Sequence, residues 1–281
     1  MNKKNICEKT IEKFKKHLMT GERSANTIAK YMHDVRYFQM FLNDEPVSKR
    51  RVIEYKKQLE QDYEPTSVNS MLAALNSLFS FLGRHDLRVK QLKIQKRIFQ
   101  SEDKELTKKD YEKLIRAAKT RKNNRLNLVL QTITSTGIRV SELEFVSVKS
   151  VMSGHCEVSC KGKIRTIFLH NTLRKLLLEY IKENGITEGP VFVTKTGKPL
   201  NRSNIWREMK ELCKYADVCP DKVFPHNLRH LFARSFNNLD DNIVKLANVL
   251  GHTNIDTTRI YTLTSGREYA KQISSLGLVF V

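Results

Sequence analysis

Four stretches between residues 6 and 82 repeat apolar side chains at intervals of three and four, and no run between them alternates in the manner of a strand. Ile6, Ile11, Phe14 and Leu18 form the first stripe, and Ile28, Tyr31, Val35, Phe38 and Leu42 the second. Val52, Tyr55 and Leu59 form the third, and Val68, Met71, Leu72, Leu75, Leu78, Phe79 and Leu82 the fourth. Gly21, Pro46, Pro65 and Gly83 punctuate them, and Ser24 and Ser48 stand where N-caps are needed. A helix with one apolar stripe must bury it against a neighbour, so residues 1–87 are expected to form an all-helical, four-helix domain.

Beyond it the pattern changes. Arg88 to Phe99 holds five basic residues and no caps. Residues 88–103 read as a basic linker that follows phosphates; the alternation of Val89, Leu92 and Ile94 with lysines also fits a solvated strand or helix end. Residues 104–281 mix helices with a small sheet. Thr107 caps a helix running through Ala118, and Arg125 to Thr134 form another that ends at Gly137. Leu173, Leu176, Leu177, Tyr180 and Ile181 mark a third helix, and Ile205, Met209 and Leu212 a fourth, on which Trp206 is expected in the core. A helix opening at His226 turns Phe232 and Phe236 inward, and Ile243, Leu246, Val249 and Leu250 build the last. Pro190 to Val193 reads as a short strand. Cys156–Cys160 and Arg165–Leu169 alternate as the two strands of a hairpin around Lys161, Gly162, Lys163 and Ile164. The expected fold class is mainly α, with a helical-bundle domain followed by a mostly helical α/β domain bearing a small antiparallel sheet.

Charge bounds the partner. The chain has 50 Lys and Arg against 30 Asp and Glu, a formal +20 with pI near 9.8. Residues 1–100 hold 20 basic and 11 acidic side chains, so the excess is spread over both domains, as a clamp around duplex DNA requires. No segment approaches 18 consecutive apolar residues and the amino terminus is charged, so no membrane partner is expected and the protein reads as cytoplasmic. Cys7, Cys156, Cys160, Cys213 and Cys219 are odd in number and scattered, which suits a reducing compartment. The spacing of His155, Cys156 and Cys160 matches no usual zinc pair, so no metal site is expected.

The candidate chemistry lies late in the chain. His226 and Arg229 stand three apart, one turn along a helical face, a spacing suited to gripping one small anion. Leu250, Gly251 and His252 close an apolar-periodic segment, and Thr257 and Thr258 precede Tyr261, a phenol on a short polar element and a candidate nucleophile. Arg139 follows a glycine-ended helix and precedes Ser141 and Glu142, at a helix boundary where a side chain can enter a cleft. Taken alone, it would instead pair with Glu142 on the surface.

As a set, Thr136-Gly137-x-Arg139-x-Ser141-Glu142-Leu143, His226-x-x-Arg229-His230, Leu250-Gly251-His252 and Thr257-Thr258-x-x-Tyr261 resemble the active-site signature of the tyrosine recombinases, the phage integrase and Xer-type family. The resemblance implies attack by Tyr261 on a DNA phosphodiester, giving a covalent 3′-phosphotyrosine and a free 5′-hydroxyl. Arg139 and Arg229 would hold the non-bridging oxygens, His226 would help deprotonate the phenol and His252 would hydrogen-bond the phosphate. A hairpin lysine would protonate the leaving oxygen. Lys161, before Gly162, matches the family's lysine, but Cys160 stands where the family has glycine and the turn is one residue short, so Lys163 stays open for that role. Energy is conserved in the phosphotyrosine bond, so neither cofactor nor metal is implied.

The amino-terminal domain also resembles the family's SAM-like core-binding domain. For the whole chain the resemblance implies a site-specific DNA recombinase, monomeric off DNA and a homo-tetramer on paired sites. A terminal exchange helix, 267–281, either docks on a neighbouring protomer or folds back on its own domain. Two rivals share the charge: a type IB topoisomerase-like relaxing enzyme and a non-catalytic DNA-binding accessory protein.

Overall fold

In the computed structural model, residues 6–94, 105–160, 163–194, 196–252 and 254–259 are described, with the side chains of all but residues 160, 163 and 256. The chain divides into two compact units, Met1–Lys96 and Arg97–Val281.

The first unit is built from α1 (Glu8–Thr20), α2 (Ala25–Leu42), α3 (Lys49–Asp62) and α4 (Pro65–Phe81). The hydroxyls of Ser24 and Ser48 accept from the N–H groups of Thr27 and Arg51, and Pro65 occupies the first turn of α4, where no N–H is needed. The four stripes meet in one core. Ile11, Phe14, Val35, Phe38, Val52, Tyr55, Leu59, Leu72, Leu75 and Leu78 are all but inaccessible, while Ile28, Tyr31 and Leu82 lie at its margin.

The unit extends past residue 87. Asn76 accepts from the Val89 N–H and donates to the Val89 carbonyl, both at 2.9 Å. Asn69 does the same for Leu92, accepting at 2.7 Å and donating at 2.9 Å. Seven residues of helix rise about 10.5 Å, and three residues of extended chain span about 10 Å, so two asparagines two turns apart clasp every third peptide of a strap. Lys49 and Lys56 donate to the carbonyls of Arg88 and Lys90, and Val89 and Leu92 pack on the core. The first half of the basic segment is therefore fixed along α4, by side chains that imitate a strand partner.

The second unit opens with α5 (Lys108–Thr120), set by a capping box between Thr107 and Asp110, and α6 (Asn124–Thr136). Gly137 ends α6 at φ 65°, and a Cβ there would lie 2.4 Å from the Phe232 ring, so neither the backbone nor the space admits a side chain. A 3₁₀ segment, Val140–Phe145, leads to α7 (Val148–Ser153) and the hairpin β1 (His155–Cys160) and β2 (Lys163–Phe168). The strands pair antiparallel with Val158 opposite Arg165 and Cys160 opposite Lys163. Then follow α8 (Asn171–Glu183), α9 (Arg202–Ala216), α10 (Pro225–Asn237) and α11 (Ile243–Leu250).

Two expectations change. Residues 190–193 make only isolated bridges, Ser147 with Pro190 and Val193 with Pro199, each flanked by two main-chain hydrogen bonds and extended no further. Trp206 is 47 % exposed, with the Lys210 ammonium 5.4 Å from its ring centre. The buried face of α9 runs through Ile205, Met209, Leu212, Cys213 and Ala216, and a residue next to Ile205 is turned about 100° away from it.

Candidate active site

The site is assembled at the carboxy-terminal end of α11. The last carbonyls of a helix have no partner within it and carry the negative end of its dipole. The last two carbonyls of α11 and that of its C-cap, Gly251, each receive a guanidinium. Arg165 Nη1 donates to the Val249 carbonyl at 2.7 Å, Arg229 Nη2 to that of Leu250 at 2.6 Å and Arg139 Nη2 to that of Gly251 at 3.2 Å. Hydrogen bonds to charged groups contribute about 1.5–3 kcal/mol each, comparable to burial of a leucine. Only Leu246 and Leu250 of α11 are large buried side chains, packed with Ala233, Phe232 and Phe236 of α10. The arginines and this small apolar cluster thus share the task of holding the helix.

Arg229 is 2 % exposed, the largest of the fully buried side chains among the described residues. It projects from α10 together with His226, as the three-residue spacing requires. Its Nη1 donates to the Gly137 carbonyl, so the glycine that ends α6 and the turn that ends α11 are joined through one planar group. Gly137 is two residues from Arg139, and the two arginines, roughly ninety residues apart in sequence, are brought together by main-chain acceptors.

Arg139 does pair with Glu142, but the contact is no surface bridge. Glu142 is 3 % exposed, and its Oε1 accepts from Arg139 Nη1 at 2.8 Å while Oε2 accepts from the Arg139 N–H at 2.9 Å and from Arg165 Nη2 at 2.5 Å. Burial alone would raise this carboxyl, but the N–H and guanidinium of Arg139 and the charge of Arg165 outweigh it and hold the group below its ordinary value. One buried carboxylate thereby orients two guanidiniums.

His252 Nε2 lies 3.1 Å from Arg229 Nη2, which can only donate. The neutral ring therefore carries its proton on Nδ1 and donates it to Thr258 Oγ1, 2.8 Å away and wholly buried. Burial, then the charges of Arg229, Arg139 and Arg165, push the His252 imidazole down to about 4. His230, whose ring meets that of His226 edge-on at 4.5 Å, is lowered to about 4 by burial and by His226 and Arg229. His226 is lowered by burial and by Arg229, Arg202 and Arg139.

These shifts carry a prediction. Well above pH 6.5 the three rings are neutral in folded and unfolded chain alike; as pH falls through 6.5 toward the lowered folded values, the unfolded chain takes up protons that the folded site refuses, so stability drops. Urea unfolding of the full chain at pH 7, 6 and 5 should give a falling midpoint, with the fall reduced in His252→Gln. A midpoint that rises or stays level would contradict the assigned environment.

Of the residues singled out from sequence, Arg139, His226, Arg229 and His252 converge here. Lys161 and Tyr261 lie outside the described residues, as does the 267–281 segment, and Lys163 opens β2 opposite Cys160 with its side chain likewise outside. Arg165 was not singled out, and Thr258 entered only as part of the Thr257-Thr258 run before Tyr261, without a role of its own. On β2 Arg165 shares a face with the buried Ile167, but Ile164 and Phe168, 72 % and 76 % exposed, put apolar residues on the opposite face, so the strand's sequence does not say which face is inward.

The family follows from comparison. Residues 104–267 match the phage integrase family and residues 11–86 its N-terminal SAM-like domain. This chain belongs to the phage integrase family, the tyrosine recombinases. It is 29 % identical to tyrosine recombinase XerC of Roseiflexus castenholzii over 90 % of this chain and 88 % of that one. It is 27 % identical to tyrosine recombinase XerA of Pyrococcus furiosus over 99 % and 98 %. In fold it is similar to a lambda integrase solved as a dimer bound to a COC′ core site, with a TM-score of 0.74 and 18 % identity over 92 % of this chain and 78 % of that one. Among the described residues no helix is long and apolar enough to cross a membrane.

Proposed function

We propose that this chain is a site-specific DNA recombinase that cuts and rejoins duplex DNA through a covalent 3′-phosphotyrosine on Tyr261. The observation that carries the reading is the convergence of Arg139 and Arg229 on adjacent carbonyls beside three imidazoles kept neutral. A phosphodiester under attack gathers charge on its non-bridging oxygens, and two planar guanidiniums already fixed in place stabilise that charge more than the ground state. A neutral His226 can accept the phenol proton. The 5′ oxygen leaves with a proton supplied by Lys161, with Lys163 as the alternative, a step worth about 10²–10⁴ in rate.

Residues 1–87 serve as the core-binding domain and 104–281 as the catalytic domain, joined by the basic segment 88–103. The assembly is a homo-tetramer on paired sites, monomeric off DNA, with the 267–281 segment docking on a neighbour. The lambda integrase solved as a tetramer on a Holliday junction, 18 % identical with a TM-score of 0.74, has the same fold and supports the feasibility of such an assembly. The setting is cytoplasmic and the work is on a mobile element or a short inverted core site.

The test is to incubate the purified chain in EDTA with DNA from its native genomic neighbourhood carrying nicked suicide sites. Covalent attachment at a discrete 3′ phosphate, mapped to Tyr261, is expected, with strand exchange between paired sites. Relaxation of supercoiled DNA lacking any such site, without exchange, would transfer the assignment to a type IB topoisomerase-like enzyme. Binding with no adduct would leave an accessory DNA-binding protein.

A further inference from the structure

Arg165 is the third guanidinium on α11 and has no part in the chemistry set out above. It reaches from β2 to two different elements: Nη1 to the Val249 carbonyl at 2.7 Å and Nη2 to Glu142 Oε2 at 2.5 Å. Its side chain is 12 % exposed, and both of its Nη groups are engaged by the protein. The space it fills is kept open by Gly251, where a Cβ would stand 2.7 Å from Arg165 Cδ, and where φ is 63°. A glycine between Leu250 and His252 therefore serves the passage of this side chain as well as the turn of the backbone.

The consequence falls on Arg139. Glu142 offers two oxygens; Arg165 occupies Oε2 together with the Arg139 N–H, which leaves Oε1 facing the Arg139 guanidinium. Without Arg165 only the Arg139 N–H still holds Oε2, so the carboxylate can turn about that one bond and draw the Arg139 guanidinium away from the Gly251 carbonyl and the space beside Arg229. We propose that Arg165 is a positioning residue for strand transfer: by holding Glu142 and the end of α11 together, it fixes the direction in which Arg139 presents its guanidinium to the scissile phosphate. The inference rests on the recombinase reading given above.

The experiment compares wild type with Arg165→Lys on suicide half-sites carrying either an ordinary scissile phosphodiester or a methylphosphonate, whose uncharged phosphorus centre reduces the need for guanidiniums. A lysine keeps the charge and reaches one of the two partners but not both. Arg165→Lys is expected to melt cooperatively and bind the half-site within about twofold of wild type, and to lose about tenfold or more in adduct formation on the phosphodiester, a loss typical of misplaced catalytic groups. On the methylphosphonate that loss should shrink to about threefold or less, because the group being misdirected is no longer in demand. Equal losses on both substrates, no loss on the phosphodiester, or a chain that no longer melts cooperatively would each make Arg165 a brace of the fold and overturn the proposal. Failure of wild type itself to form an adduct on the phosphodiester would remove the recombinase reading instead, and is seen in the same assay.

Discussion

Tyr261→Phe is expected to bind a cognate half-site with wild-type affinity and to form no covalent adduct on a nicked suicide substrate. The change removes one oxygen and leaves the ring, so packing and charge are preserved while the attacking atom is lost. For an essential nucleophile the rate should fall about 10⁴-fold or more, and trace adduct on a neighbouring side chain is the largest signal anticipated. Adduct at normal yield would mean that the nucleophile is some other residue, and peptide mapping of the wild-type adduct would then find it.

Arg229→Lys carries the second large effect. The guanidinium is planar and spans the Gly137 and Leu250 carbonyls and His252 Nε2 at once. A lysine ammonium is a compact donor on a flexible stem and cannot hold all three directions. Loss of a fixed donor to a developing oxyanion costs about 10²–10³ in rate, so adduct formation should fall by that factor with half-site binding within a few-fold of wild type. Arg229→Ala is a poorer probe, since two buried carbonyls left without a donor cost about 1–3 kcal/mol each and mix stability with chemistry. If Arg229→Lys cut DNA within a few-fold of wild type, the buried guanidinium would be a structural strut between α6 and α11, with no part in phosphate recognition.

Much of the first unit was legible from sequence because each helix declares its buried face at fixed intervals and Gly21, Ser24, Ser48, Pro65 and Gly83 mark most of the boundaries. Arg139 was legible as a residue at a helix boundary, and His226 with Arg229 as a pair on one face. The carbonyls that gather the arginines were not, because a peptide oxygen has no residue type and its position depends on how α11 meets α10. Arg165 escaped for the opposite reason: arginine in a hairpin is ordinarily solvated, and apolar residues on both faces of β2 leave the inward one unmarked. Trp206 was misread because bulk was weighed above phase; its neighbour Ile205 holds the buried position. The strap along α4 was missed because two asparagines seven apart show no apolar period, although their amides supply a full set of donors and acceptors to Val89 and Leu92.

The three carbonyls at the end of α11 give the site an unusual tolerance profile. Since the acceptors belong to the peptide backbone, exchanging Val249 for another apolar residue leaves every one of them where it was. An insertion or deletion of one residue inside that last turn is another matter. Each residue rotates a helix by about 100° and advances it by 1.5 Å, so a single-residue length change would carry all three acceptors out of reach together. Drift among descendants of this chain should therefore be wide at the exposed positions of α11, narrow at the buried Leu246, Ala247 and Leu250, and closed to gaps between Asn242, which caps the helix, and His252. The run from Asn242 to His252 is best regarded as a ruler: one end is set by the cap, the other by the imidazole, and the graduations are peptide oxygens.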